Sequence, residues 1–113
     1  MFTITRRFEF EAAHFLTQVP AEHKCHRTHG HNYVVIVELS ATDLDERSFV
    51  VDYGDLSAFG AHLDQTYDHR LLNDMLEVET TAENLARIFY EWCANRWPQT
   101  SAVYVQETRG TSA

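Results

Sequence analysis

Polar and apolar residues alternate from the first residues of the chain. From Phe2 to His14 the even positions read Phe, Ile, Arg, Phe, Phe, Ala, His, while the odd ones are mostly Thr, Arg and Glu. A period of two predicts a half-buried strand with His14 on its apolar face. Residues 16 to 30 are polar and irregular and include Pro20 and Gly30. A second strand is expected from His31 to about Ala41, with Tyr33, Val35, Val37 and Leu39 on the face of His31. Asp43 to Arg47 reads as a polar turn and Phe49-Val50-Val51 as a short extended piece. The period then changes. Leu56, Phe59 and Leu63 share one face of a helix whose expected N-cap is Asp55. In a second helix, Thr80 and Glu83 fit a capping box, Leu85, Ile88, Phe89 and Trp92 recur at helical spacing, and Pro98 closes it. Ala102 to Thr108 alternates again, with Val103, Val105 and Glu107 on one face. The order β-β-α-α-β predicts an α+β fold, an antiparallel sheet with its helices on one side.

Composition narrows this picture. At 113 residues, 44% hydrophobic and 12% aromatic, residues 1–113 are expected to form a single domain with its own core. No apolar run approaches the roughly 20 residues of a membrane helix. The segment Met1–Arg7 lacks the apolar core of a signal peptide, so the expected location is the cytoplasm. Nine basic and 17 acidic residues give a net charge of −8, which argues against nucleic acid and anionic membranes as partners. Cys25 and Cys93 make no disulfide framework and are judged as thiols. Cys93, among Phe89, Trp92 and Trp97, reads as packing.

The histidines are the unusual feature: seven in all, four of them between residues 23 and 31. His29 and His31 are two apart at the start of a strand and point the same way. His14 ends the preceding strand, so antiparallel pairing brings it beside them. Three imidazoles at one point suit zinc, and three protein ligands leave the open position of a catalytic site. Two exposed histidines and one hydrogen-bonded core histidine would give the same residues without a metal. A structural site closed by Cys25 is the chemical competitor, and His23 or His26 could replace one ligand. A glutamate at 107 on the core face suggests a ligand, because a buried unpaired carboxylate is costly.

The runs Phe10-Glu11-Ala12-Ala13-His14 and Cys25-His26-Arg27-Thr28-His29-Gly30-His31-Asn32-Tyr33 resemble the 6-pyruvoyl-tetrahydropterin synthase family. The closer likeness is to its 6-carboxy-5,6,7,8-tetrahydropterin synthase branch, of queuosine biosynthesis. The likeness continues through Val51–Leu56, Asp68–Asn73, Thr80–Asn84 and Val105–Thr108. It implies zinc on His14, His29 and His31, with Cys25 as general base. It further implies Asp68 and His69 as a proton-relay pair supplied by a neighbouring subunit, and Glu107 as anchor of the pterin ring. Thr81 matches a residue near that pocket, although a helix N-cap explains it equally well. Lys24 and Arg27 are candidates for the substrate's phosphates by charge alone.

The fold implied is a tunnelling fold, in which two hairpins make a four-stranded antiparallel sheet with two helices on one face. Three such subunits would close a 12-stranded barrel, and two trimers a homo-hexamer. The substrate implied is 7,8-dihydroneopterin triphosphate, converted to 6-carboxy-5,6,7,8-tetrahydropterin with loss of triphosphate and acetaldehyde. The alternatives are the 6-pyruvoyl product of the biopterin branch, or a zinc-binding pterin module without this chemistry. Ala82 stands where relatives often have Ser or Thr, and residues 16–24 are the least alignable stretch.

Overall fold

The computed structural model describes all 113 residues, Met1–Ala113. The first alternating segment forms β1 (Phe2–His14), and the second forms β2 (His29–Ala41), two residues earlier than the hydrophobic pattern begins. They pair antiparallel along their whole length, from Phe2 opposite Ala41 to His14 opposite His29. On the far side of β2 runs β4 (Thr100–Gln106), also antiparallel, with an irregularity at Glu38/Leu39.

The fourth strand departs from expectation. It is the two-residue β3 (Arg70–Leu71), which lies parallel to β1 beside Ala12 and Ala13. The sheet order is β3-β1-β2-β4, so the sheet is mixed rather than antiparallel and there is no second hairpin. The cause is local. His69 takes a left-handed turn (φ 57) and donates its backbone N–H to Glu11 O at 2.6 Å, while Asp68 Oδ1 accepts from Glu11 N at 2.9 Å. The chain is thereby stitched to the edge of β1 just before Arg70. Phe49-Val50-Val51 is not a strand either. Asp45 Oδ1 accepts from the backbone N–H groups of both Arg47 and Phe49, bending this segment into a loop away from any strand partner.

The helix starts also move. A 3₁₀ turn (Tyr53–Leu56) leads into α1 (Ser57–Thr66), and its cap is Asp52, whose Oδ1 accepts from Gly54 N at 2.8 Å, rather than Asp55. A short α2 (Leu72–Met75) follows β3. Then α3 (Ala82–Arg96) is capped by Thr81, whose Oγ1 accepts from Asn84 N at 3.2 Å. The cap falls one residue later than the Thr80–Glu83 box because Thr80 is buried and turned toward His14.

Both long helices cover one face of the sheet, as expected. Phe8 and Phe10 of β1 meet Phe59 of α1 and Phe89 of α3, with ring centroids 5.1 and 6.0 Å apart. Tyr33, Val35, Leu63 and Leu85 complete the fully buried centre. Cys93 lies in this core, where burial pushes its thiol up to about 12. The opposite sheet face carries Val34, Ile36 and the half-exposed Tyr104 and has no helix over it. Gly60 is where α1 comes closest to the sheet, since a Cβ there would lie 3.3 Å from the Phe8 ring. Gly60→Val should therefore cost about 1–3 kcal/mol by overpacking, read as a lower midpoint in urea unfolding with unchanged slope.

Candidate metal centre and active site

The antiparallel register places the last residue of β1 against the first of β2, so His14 faces His29, and His31 follows on the same face. Their ring nitrogens are held in a defined state. His14 Nδ1 lies 2.7 Å from the backbone carbonyl of Thr80 and 3.2 Å from its Oγ1. His29 Nδ1 lies 2.7 Å from the carbonyl of Arg27. A carbonyl only accepts, so both rings carry their proton on Nδ1 and turn the Nε2 lone pair inward. Those two Nε2 atoms are 3.0 Å apart. Two lone pairs at that distance repel unless a cation lies between them. His31 Nε2 is buried without a hydrogen-bond partner, and burial is the main cause holding this imidazole below its usual pKa. Neutral imidazole is the form that binds a metal.

The ligand atoms of the three histidines all lie within 4.8 Å of one another. This donor set fits a divalent transition metal. Cys25, His23 and His26 are not in the group.

Glu107 is the first residue beyond β4. Its Oε2 is 3.1 Å from His31 Nε2 and 3.5 Å from His14 Nε2. Beneath lies the Tyr33 ring, 5.4 Å from His31, with a buried hydroxyl that has no partner.

A cavity of about 500 Å³ opens on this group, lined by Lys24, Cys25, His31, Ala82, Glu107 and the residues Thr111–Ala113. Cys25 reaches it from a 3₁₀ turn (Lys24–His26) held by its backbone. Cys25 N donates to His23 Nδ1, and its carbonyl accepts from Leu16 N at 2.8 Å. Arg27 and Thr81 do not line the cavity. The Arg27 carbonyl holds His29, and the Thr81 hydroxyl is occupied as the α3 cap.

Asp68 and His69 form a pair, with Asp68 Oδ2 2.8 Å from His69 Nδ1, and this bond raises the histidine's pKa. The His69 side chain is 73% exposed. It lines a second cavity, of about 590 Å³, with Glu11, Asn32 and Arg70. His31 borders both cavities. Within one chain, then, Asp68 and His69 are not brought to Cys25.

Three positioning residues carry no signal in the hydrophobic pattern. Thr80 orients His14. Asn73 binds both backbone groups of Phe15, accepting from its N–H (3.0 Å) and donating to its carbonyl (2.9 Å). Glu79 accepts from the N–H groups of Thr17 (2.9 Å) and Gln18 (2.7 Å), tying down the segment that leads to Cys25. The Thr17 N–H is the first cause holding the Glu79 carboxyl below the usual glutamate range. A folded-state pKa below the unfolded one contributes stability above the unfolded value and loses it as pH falls. Hydrogen-exchange protection at Thr17 and Gln18 should therefore drop below about pH 4, while the β1–β2 amides keep theirs.

Known proteins share this architecture. A family model described as 6-pyruvoyl tetrahydropterin synthase matches residues 3–113. The 6-carboxy-5,6,7,8-tetrahydropterin synthase of Rickettsia bellii is 36% identical over 73 residues, which cover 64% of this chain and 51% of that protein. The Rickettsia conorii protein of the same name is 32% identical over 95 residues, 80% of this chain and 67% of its own length. The matched stretch thus spans half to two thirds of these relatives. The solved structure of Caenorhabditis elegans 6-pyruvoyl tetrahydropterin synthase superposes with a TM-score of 0.87 at 28% identity, covering 99% of this chain and 92% of that one.

Proposed function

Because this chain belongs to the 6-pyruvoyl tetrahydropterin synthase family, we propose that it is a zinc-dependent enzyme of the 6-carboxy branch. It would convert 7,8-dihydroneopterin triphosphate to 6-carboxy-5,6,7,8-tetrahydropterin with release of triphosphate and acetaldehyde, a carbon–oxygen and carbon–carbon lyase feeding queuosine synthesis. The observation that carries this reading is the convergence of the His14 and His29 Nε2 lone pairs beside His31, at the wall of a cavity that also holds Cys25 and Glu107.

His14, His29 and His31 hold the metal, and zinc, when bound, supplies a Lewis acid beside the hydroxyls of the substrate's side chain. Cys25, in the same cavity, removes the carbon-bound proton. Glu107 receives the amino and N–H edge of the pterin through two parallel hydrogen bonds. Lys24 meets the phosphates from the cavity wall, and Arg27, outside that cavity, is a candidate by charge alone. Thr81 keeps its hydroxyl on the helix cap and contributes at most from the rim.

Asp68 and His69 relay protons between subunits, since within one chain they line a different cavity from Cys25. This accords with a homo-hexamer of two trimers, each trimer closing its open four-stranded sheets into a barrel with Val34, Ile36 and Tyr104 turned inward. No helix is long and apolar enough to cross a membrane, and the proposed site of action is the cytoplasm.

The test is anaerobic incubation of zinc-loaded protein with dihydroneopterin triphosphate and mass spectrometry of the products. A 6-carboxy product with acetaldehyde is expected. A 6-pyruvoyl product would move the chain to the other branch, and unchanged substrate from folded, metal-filled protein would overturn the reading.

A further inference from the structure

We propose that Glu107 is a displaceable fourth ligand, closing the metal's coordination shell in the substrate-free protein and leaving it when a pterin ring takes the carboxylate. This rests on the metal and ring-anchoring roles proposed above and adds the link between them.

The donor spacing carries the inference. Four ligands at zinc–nitrogen and zinc–oxygen distances of about 2.0–2.2 Å sit about 3.3–3.5 Å from one another in a tetrahedron. His14 and His29 Nε2 are 3.0 Å apart, Glu107 Oε2 is 3.1 Å from His31 Nε2, and it is 3.5 Å from His14 Nε2. The carboxylate oxygen thus stands at donor spacing from two of the three histidines, His31 and His14, beside a histidine group whose own ligand atoms lie within 4.8 Å of one another. The contact with His31 has the wrong character for a simple ion pair. The two atoms are 3.1 Å apart, yet His31 Nε2 makes no hydrogen bond. Close approach without donor alignment is what two lone pairs show when both are aimed at a third point.

Glu107 also sits where it can let go. It lies just past the end of β4 rather than inside the ladder, and its side chain is 25% exposed, toward the cavity. A guanidine-like ring edge needs both carboxylate oxygens for two parallel hydrogen bonds. The same oxygen cannot serve ring and metal together. Ring binding and opening of the fourth position thus become one event, and a molecule with suitable hydroxyls but no such edge finds the metal closed. Glu107 would in this way set specificity for the ring at the metal itself.

The experiment uses the full chain loaded with cobalt(II), azide as a small ligand, and pterin without a side chain as the ring. The readout is the ligand-field absorption of cobalt. In the wild type, azide alone should leave the spectrum unchanged, and azide added with pterin should shift it. Glu107→Ala should respond to azide without pterin and bind cobalt on the order of 10-fold more weakly. A response of the wild type to azide alone, or none in the presence of bound pterin, overturns the inference while leaving the metal site standing. Folded wild type that takes up neither cobalt nor zinc overturns the metal reading itself. Should Glu107→Ala fail to fold, the two wild-type arms decide the matter.

Discussion

Cys25→Ala should yield a folded, metal-loaded protein whose turnover is lower by about 10²- to 10⁴-fold, the range a positioned general base contributes. Nothing that shapes the segment depends on the sulfur. The turn is fixed by the backbone N–H and carbonyl of Cys25, through His23 and Leu16, and an alanine keeps both groups. Nor does the thiol stand among the three converging histidines. The measurement is zinc content and thermal unfolding alongside kcat. A structural Cys-His₃ site predicts the reverse pattern, with zinc lost and the fold weakened, while full activity in the variant would remove Cys25 from the chemistry.

His14→Ala should be more damaging, abolishing metal uptake and destabilising the protein by about 2–4 kcal/mol even without metal. His14 is only 1% exposed. Its loss leaves a cavity at the end of the core and strips the Thr80 carbonyl of the Nδ1–H it accepts. An orphaned buried acceptor alone costs about 1–3 kcal/mol. His29→Ala makes the informative partner. It removes a proposed metal ligand of the same kind, but its Nδ1 contact is to an exposed carbonyl, that of Arg27. It should lose metal with much less loss of metal-free stability. Equilibrium denaturation of both variants in the presence of a chelator separates the two roles, and equal stability losses would contradict them.

The hydrophobic pattern carries most of this fold. Alternation marked β1, β2 and β4, and helical spacing marked α1 and α3, because each is long enough for its period to repeat. Arg70 and Leu71 could not be read that way. Two residues contain no period, and they pair with β1 only because Asp68 and His69 bind Glu11. The caps moved by one to three residues for a related reason. Asp52 and Asp55, and likewise Thr80 and Thr81, are chemically equivalent candidates, and tertiary contact chooses between them. At the site, the meeting of His14, His29 and His31 followed from strand order and parity alone. The Thr80 carbonyl that orients His14 had no such signal, since every residue has a carbonyl. The same holds for Asn73 and Glu79, whose partners are backbone groups almost sixty residues or more away.

The direct opposition of His14 and His29 has a consequence for how the chain finds its pairing. The face opposite the helices carries Val34 and Ile36, so a hairpin formed one residue out of step would still find apolar partners. Such a slip turns His14 to the wrong side of the sheet. Only the native alignment then brings all three imidazoles together, and a metal bound there would stabilise that alignment alone. A metal taken up early would act as a proofreader of strand pairing, rewarding the one hairpin whose ends match and leaving every misaligned competitor to dissolve.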